Sequence, residues 1–183
     1  MPAAYGLHGA VVAPHHLATA IGRDILRAGG SAVDAAIATN AALAVVFGSA
    51  CGIGGDAFWL IWDPRAGTEI GLNGSGRSGA AADATALVRR GLEEIPLRGG
   101  LSITVPGAVR SWGDAHDRFG RLPRAALLAP AIELARDGFP AWGGFIDAVE
   151  RVAPIFRSTR GQDAAWFEIY RPHGRPWRLG GRV

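Results

Sequence analysis

The sequence predicts an α+β fold, because strand-like segments come early in the chain and helical patterns come late. No regular alternation of strand and helix is visible, which argues against a parallel sheet built from βαβ units. The chain has 183 residues, 49% of them hydrophobic and 19% charged, which is enough for one domain with a sizeable core. We therefore expect one domain in which helices pack on a small amount of sheet.

The first third of the chain predicts a short strand followed by two helices. Residues 9–14 are apolar and short enough for a strand, whereas residues 17–28 repeat apolar side chains at helical spacing. The pair Gly29-Gly30 should end this first helix, and Ser31 should cap the next one. Residues 32–47 are small and apolar on nearly all faces, which indicates a buried helix.

The rest of the chain predicts one hairpin, further helices and a basic tail. Residues 58–72 are aromatic and β-branched around a Pro/Gly turn, as in a β-hairpin. The remaining expected elements are a helix near 83–91, a short strand at 102–105, and helices at 108–119, 122–137 (kinked or split at Pro130) and 140–152.

Positive charge is concentrated at the end of the chain. All 19 basic residues are arginines, set against 16 acidic residues, and six of the arginines fall in residues 157–183 beside only two acids. We expect this basic tail to be a loop that packs a few aromatic side chains, Trp166, Phe167, Tyr170 and Trp177, on the parent domain. The alternative is a non-catalytic binding module, since basic residues mixed with aromatics can also bind single-stranded nucleic acid.

Composition excludes several other classes. The most apolar stretch, residues 32–47, contains Asp34 and Asn40 and is shorter than the roughly 20 apolar residues of a membrane span. No secretory signal is visible, so we expect a cytoplasmic protein, with a periplasmic or secreted location still open. The single cysteine, Cys51, allows neither an internal disulfide nor a cysteine-based zinc site.

Four local features are candidates for chemistry. The glycines of residues 52–55 would suit a nucleotide-binding loop, but a helix precedes them and a strand follows, which favours a structural turn. Cys51 has no recognisable base or orienting partner, and His15-His16 suits a surface or capping role better than a metal pair. Arg77 lies in a Gly/Ser-rich loop, where its guanidinium could hold a substrate carboxylate or simply stabilise the loop.

Six ordered motifs resemble the large subunit of the γ-glutamyltransferase (γ-glutamyltranspeptidase) family. Residues 29–36, GGSAVDAA, are similar to the family's GGNAVDAA, and residues 52–58, GIGGDAF, are similar to its SGIGGGGF. The other four are residues 105–109 (VPGAV), 119–123 (FGRLP), 128–132 (LAPAI) and 138–140 (GFP). The likeness runs from about residue 9 to the end of the sequence.

The resemblance implies part of the αββα sandwich of the N-terminal-nucleophile (Ntn) hydrolases. In that family, autocatalytic processing frees a Thr at the start of a small subunit, and this Thr attacks an amide to form an acyl-enzyme. The large subunit contributes an Arg that binds the α-carboxylate of the γ-glutamyl group, and Arg77 resembles this residue by position. No metal or organic cofactor is implied, and neither is a nucleic-acid partner.

Two departures from the family shape the expected function. The loop sequence of residues 73–80, NGSGRSGA, lacks the Glu and Ala-Pro that follow the family's Arg. It therefore resembles the loop of γ-glutamyltransferase-like amidohydrolases and acylases more than that of typical glutathione enzymes. No Thr in the chain has the setting of the family's nucleophile. We therefore expect residues 1–183 to be an incomplete large-subunit portion of a single Ntn-hydrolase domain, inactive alone, that acts on γ-glutamyl or related acyl amides such as glutathione.

Overall fold

Seven α-helices and one β-hairpin lie within the part of the chain that the computed structural model describes, residues 5–97, 99–157 and 164–183. Residues Met1–Gly52 and Arg121–Val183 form one compact unit, and residues Ile53–Gly120 form a second. The elements are α1 His16–Arg27, α2 Ala32–Val46, β1 Ala57–Asp63, β2 Thr68–Gly74, α3 Ala84–Arg89, α4 Ala108–Phe119, α5 Arg124–Asp137, α6 Gly143–Arg157 and α7 Ala164–Tyr170, with one-turn 3-10 helices at Gly100–Ser102 and Pro172–Gly174.

Helix α2 is the central element of the first unit. It packs against both α1 and α5, and most of its residues are buried, as its uniformly apolar sequence predicts. Its start is fixed by a capping box, in which the Ser31 hydroxyl accepts from the Asp34 N–H and the Asp34 carboxylate accepts from the Ser31 N–H. The Asp34 carboxylate also accepts from the N–H groups of Arg121 (2.9 Å) and Leu122 (3.2 Å), so it fastens the chain that leads into α5.

The aromatic side chains of the basic tail pack on a core of the first unit. Trp166, Tyr170 and Trp177 surround a buried cluster that includes Phe145, and the Trp177 indole N–H donates to the Tyr170 carbonyl at 2.6 Å. The predicted packing is therefore confirmed for these three residues, whereas Phe167 makes a ring contact with Trp166. The loop prediction is wrong for residues 164–170, which form α7, whereas residues 158–163 lie outside the described residues. Arg171 is also buried there and forms an ion pair with Glu150 at 3.4 Å.

The β-hairpin and α4 make up much of the second unit. Strands β1 and β2 pair antiparallel, with Trp59 opposite Leu72. Alternation gives the hairpin two faces: Trp59 is half-buried, whereas Phe58, Leu60 and Trp62 on the other face are exposed. The Trp59 indole N–H donates to the hydroxyl of Ser111, a buried residue of α4, at 3.0 Å. The hairpin prediction is confirmed.

Two strand predictions are wrong. Residues 9–14 have no strand partner among the described residues, and residues 102–105 end a 3-10 helix and continue as irregular chain. A strand exists only when another strand pairs with it, and a short apolar pattern does not reveal whether a partner is present. The helix predictions hold with shifted ends, and α5 continues through Pro130 without a break.

The described residues combine helices with a single two-stranded sheet, and helices α1 and α2 precede the strands, so the predicted order of early strands and late helices is not observed. The sandwich stays a proposal for a longer protein. No helix in the described ranges has the length and apolar character that crossing a bilayer requires.

Candidate functional site

Arg77 lies in residues 75–79, a segment of irregular chain that follows β2 in the second unit. Its main chain is fixed, since the Arg77 carbonyl accepts from the Val105 N–H at 2.9 Å. The segment that contains Val105 leads directly into α4, so the loop is tied to the start of a helix. Arg77 therefore lies on a loop whose main chain is hydrogen-bonded to the segment that precedes α4.

The Arg77 side chain is exposed to solvent. Within the described part of the chain, no hydrogen bond or ion pair involves its guanidinium. The loop is held by its backbone, not by this side chain. An exposed guanidinium on a hydrogen-bonded main chain can donate two parallel hydrogen bonds to a carboxylate, which is the geometry that arginine favours.

The backbone segments around Arg77 are in direct contact because glycines leave the space open. A Cβ atom on Gly76 would overlap the carbonyl oxygen of Val105, and one on Gly107 would overlap the carbonyl oxygen of Gly74. Neither position could carry a larger side chain without displacing the loop. The Gly/Ser-rich composition of residues 73–79, which suggested room for a ligand, serves close packing at Gly74 and Gly76.

Asp56 is a residue of this site that the sequence analysis missed. Its Oδ1 accepts from the Gly76 N–H at 2.7 Å and from the Thr104 hydroxyl at 3.4 Å. Asp56 closes the glycine run, and the preceding Gly55 carbonyl accepts from the N–H groups of Gly107 and Ala108 at the start of α4. The only signal in the sequence was a carboxylate inside a glycine-rich turn.

The glycine run itself forms the turn that the sequence predicts. No helix follows it, because β1 begins at Ala57. The strand-turn-helix order of a dinucleotide site is therefore absent from this part of the described chain.

His15 has the capping role expected of it. Its Nδ1 accepts from the Leu17 N–H at 3.2 Å at the start of α1, and the side chain is buried against Trp142 and stacked on His16. Burial lowers the pKa of His15 below its usual value, and the neighbouring His16 lowers it further. His15 belongs to the first unit, whereas Arg77 belongs to the second.

Cys51 is half-buried, and burial raises the pKa of its thiol. A thiol with a raised pKa is a poor nucleophile at neutral pH. Among the described residues, no three His, Cys, Asp or Glu side chains are grouped closely enough to hold a metal ion.

Comparison with known proteins gives one family. The family model described as gamma-glutamyltranspeptidase matches residues 18–183. The chain is 46% identical over 150 residues to the glutathione hydrolase-like YwrD proenzyme of Bacillus subtilis, which covers 81% of this chain and 28% of that protein. It is 41% identical over 177 residues to the oxamate amidohydrolase proenzyme of Klebsiella pneumoniae, which covers 92% of this chain and 33% of that protein. The chain thus spans about a third of the length of these curated relatives.

Solved structures also match this chain over most of its length. The structure of cephalosporin acylase from Bacillus halodurans superposes with a TM-score of 0.80 at 42% identity, over 91% of this chain and 31% of that chain. The structure of Helicobacter pylori gamma-glutamyltranspeptidase superposes with a TM-score of 0.87 at 25% identity, over all of this chain and 52% of that one.

Proposed function

The chain belongs to the gamma-glutamyltranspeptidase family, and we propose that it forms the N-terminal part of an amidohydrolase or acyltransferase whose substrate carboxylate is bound by Arg77. The observation that carries this proposal is the Arg77 loop. It combines a fixed main chain with an exposed guanidinium that has no partner in the described residues. Alone, the chain would bind the donor's carboxylate without supplying a nucleophile.

The proposed reaction divides the work between this chain and a small-subunit portion that carries a Thr. The Thr hydroxyl attacks the amide carbonyl of the donor, its proton passes to the Thr α-amine, and the amine of the substrate leaves with a proton. Water or a second amine then attacks the acyl-enzyme and releases the acid or the transfer product. Arg77 holds the carboxylate of the acyl group, so that the amide carbonyl meets the hydroxyl in a reactive orientation.

Two relatives support a donor that carries a carboxylate. One is named a glutathione hydrolase-like proenzyme and the other an oxamate amidohydrolase proenzyme. Glutathione is a γ-glutamyl amide with a free α-carboxylate, and oxamate is itself an amide joined to a carboxylate. The shared group is the one that an arginine recognises best. We therefore propose a γ-glutamyl or other carboxylate-bearing acyl amide as the donor class.

The first experiment is to sequence the DNA beyond the Val183 codon. We expect a continuing frame, or a neighbouring gene, that encodes a Thr placed to become a small-subunit N-terminus. A stop codon with no such partner gene in the genome would overturn the catalytic proposal.

The second experiment tests the role of Arg77 by measuring KM in the assembled enzyme, with a γ-glutamyl anilide, a glutaryl anilide and oxamate as donors. We expect Arg77→Ala to raise KM by about 30-fold or more, because the bound substrate would desolvate the charge pair in the assembled enzyme, and truncating one partner of such a pair costs about 2–5 kcal/mol. Arg65→Ala, which removes an exposed arginine from the hairpin turn, is the matched control and should leave KM unchanged. Equal KM values for both variants would remove Arg77 from the substrate site.

A further inference from the structure

Two hydrogen bonds next to Arg77 converge on one carboxylate oxygen. Asp56 Oδ1 accepts from the N–H of Gly76, the residue before Arg77, and from the hydroxyl of Thr104, the residue before Val105. The Val105 N–H in turn donates to the Arg77 carbonyl. Asp56 therefore links Gly76 to Thr104, and the next residues in the two segments, Arg77 and Val105, are hydrogen-bonded through their backbones.

This arrangement gives Asp56 more influence on the loop than a surface carboxylate usually has. At Gly76 the loop meets the neighbouring segment mainly through main-chain atoms, because Gly76 lies directly against the Val105 carbonyl. Such a contact lacks the interlocking side chains that usually fix a loop. Hydrogen bonds to the main chain must then define the direction in which the Arg77 side chain leaves the loop.

Asp56 also occupies a position at which the family motif has a glycine, since GIGGDAF in this chain corresponds to GIGGGGF in the motif. A glycine has no side chain that could accept from the Gly76 N–H or from Thr104. The carboxylate clamp is therefore a feature of this chain that the SGIGGGGF pattern does not supply.

We infer that Asp56 is a positioning residue for substrate binding, which fixes the main chain on the N-terminal side of Arg77 and so sets where the guanidinium meets the substrate carboxylate. This inference rests on the proposed role of Arg77. It assigns Asp56 no contact with the substrate. The expected consequence is a defect in KM for carboxylate donors, because small displacements of a binding group are costly when the contact is bidentate.

The test compares Asp56→Ala with Asp56→Asn in the assembled enzyme. The donors are a γ-glutamyl anilide and its analogue in which hydrogen replaces the α-carboxylate. Asp56→Ala should raise KM for the γ-glutamyl donor about tenfold, with a much smaller change for the analogue and in kcat. Asp56→Asn should restore most of the affinity, because an amide oxygen still accepts from the Gly76 N–H.

Asp63→Ala provides the matched control. Asp63 ends β1, and its carboxylate accepts from the Arg65 N–H at 2.9 Å, so this variant removes a similar bond at the other end of the same strand. We expect its KM values to equal those of the parent. If Asp56→Ala does not fold, Thr104→Val is the substitute test. It removes the hydroxyl that donates to Asp56 and should also raise KM for the γ-glutamyl donor.

A double-mutant cycle separates this inference from the proposed function. In an Arg77→Ala background, Asp56→Ala should have no further effect on KM. If Arg77→Ala raises KM but Asp56→Ala and Thr104→Val do not, the positioning role is wrong and the proposed function stands. If Arg77→Ala leaves KM unchanged, the substrate role of Arg77 fails first. If Asp56→Ala lowers kcat and raises KM by the same factors for both donors, the defect is a general structural one, and the inference is also overturned.

Discussion

The Trp59 indole N–H and the Ser111 hydroxyl, 52 positions apart in the sequence, form a 3.0 Å hydrogen bond between β1 and α4. The same hydroxyl donates to the Ala108 carbonyl at 2.7 Å, so it is satisfied on both sides. Ser111 is buried, and a Cβ atom on Gly74 of β2 would collide with its side chain. This small polar contact therefore lies where both strands approach the helix.

Removing the Ser111 hydroxyl should destabilise the second unit. Ser111→Ala leaves the indole N–H of the half-buried Trp59 without its acceptor, so the cost should lie in the lower part of the about 1–3 kcal/mol that an unsatisfied buried donor costs. The free energy of unfolding, measured by urea denaturation of the assembled protein, should fall by an amount in this range. Ser102→Ala is the control, because its hydroxyl donates to the Gly99 carbonyl in an exposed turn. Equal losses in the two variants would contradict the prediction.

The buried Asp34 carboxylate should protect the backbone amides just before α5 from hydrogen exchange. It accepts from the N–H groups of Ser31, Arg121 and Leu122. Asp34→Ala removes this acceptor, so the amides of Arg121 and Leu122 should exchange with deuterium at least about tenfold faster. Asp24→Ala, which removes an exposed carboxylate, should leave their exchange unchanged. Unaltered exchange in Asp34→Ala would show that other contacts hold this segment.

The sequence was most informative where local chemistry determines the structure. Gly29, Gly30 and Ser31 mark the helix boundary between α1 and α2 correctly, and the Pro/Gly turn places the hairpin. The Gly/Ser-rich loop made Arg77 a candidate for carboxylate binding, and the family resemblance supplied its expected role.

What could not be predicted depends on residues that meet only in the folded chain. Asp56 contacts Gly76 and Thr104, which are 20 and 48 positions away, and no local pattern indicates such a pairing. Residues 9–14 show the opposite error, since their pattern suits a strand but no described segment pairs with them. Local propensity states what a segment can form, whereas the available partners decide what it does form.

The capping role of His15 predicts a specific pH dependence of stability. Burial lowers the folded-state pKa of His15, so between that value and the unfolded-state value near 6.5 the unfolded chain binds more protons at this site. Stability should therefore fall as the pH drops below about 6.5 and level off, for this group, below the folded-state pKa. Protonation would also remove the Nδ1 acceptor of the Leu17 N–H.

His15→Asn tests this origin, because the Asn side chain can still accept at the helix start but does not titrate. The stability lost between pH 7.5 and pH 5 should be smaller in His15→Asn than in the parent. The exposed His8 offers a control, and His8→Asn should lose as much as the parent. If His15→Asn and the parent lose stability equally, His15 does not cause the pH dependence.

Two glycines of the Arg77 loop provide a steric test of the site. A Cβ atom on Gly76 would overlap the Val105 carbonyl oxygen, whereas one on Gly79 meets no described atom within 4 Å. Gly76→Ala must therefore push the loop away from the Val105 segment and carry Arg77 with it. We expect KM for a γ-glutamyl anilide to rise at least about tenfold in Gly76→Ala. Gly79→Ala adds the same methyl group to open space, so equal effects in both variants would mean that the close backbone contact at Gly76 does not position Arg77.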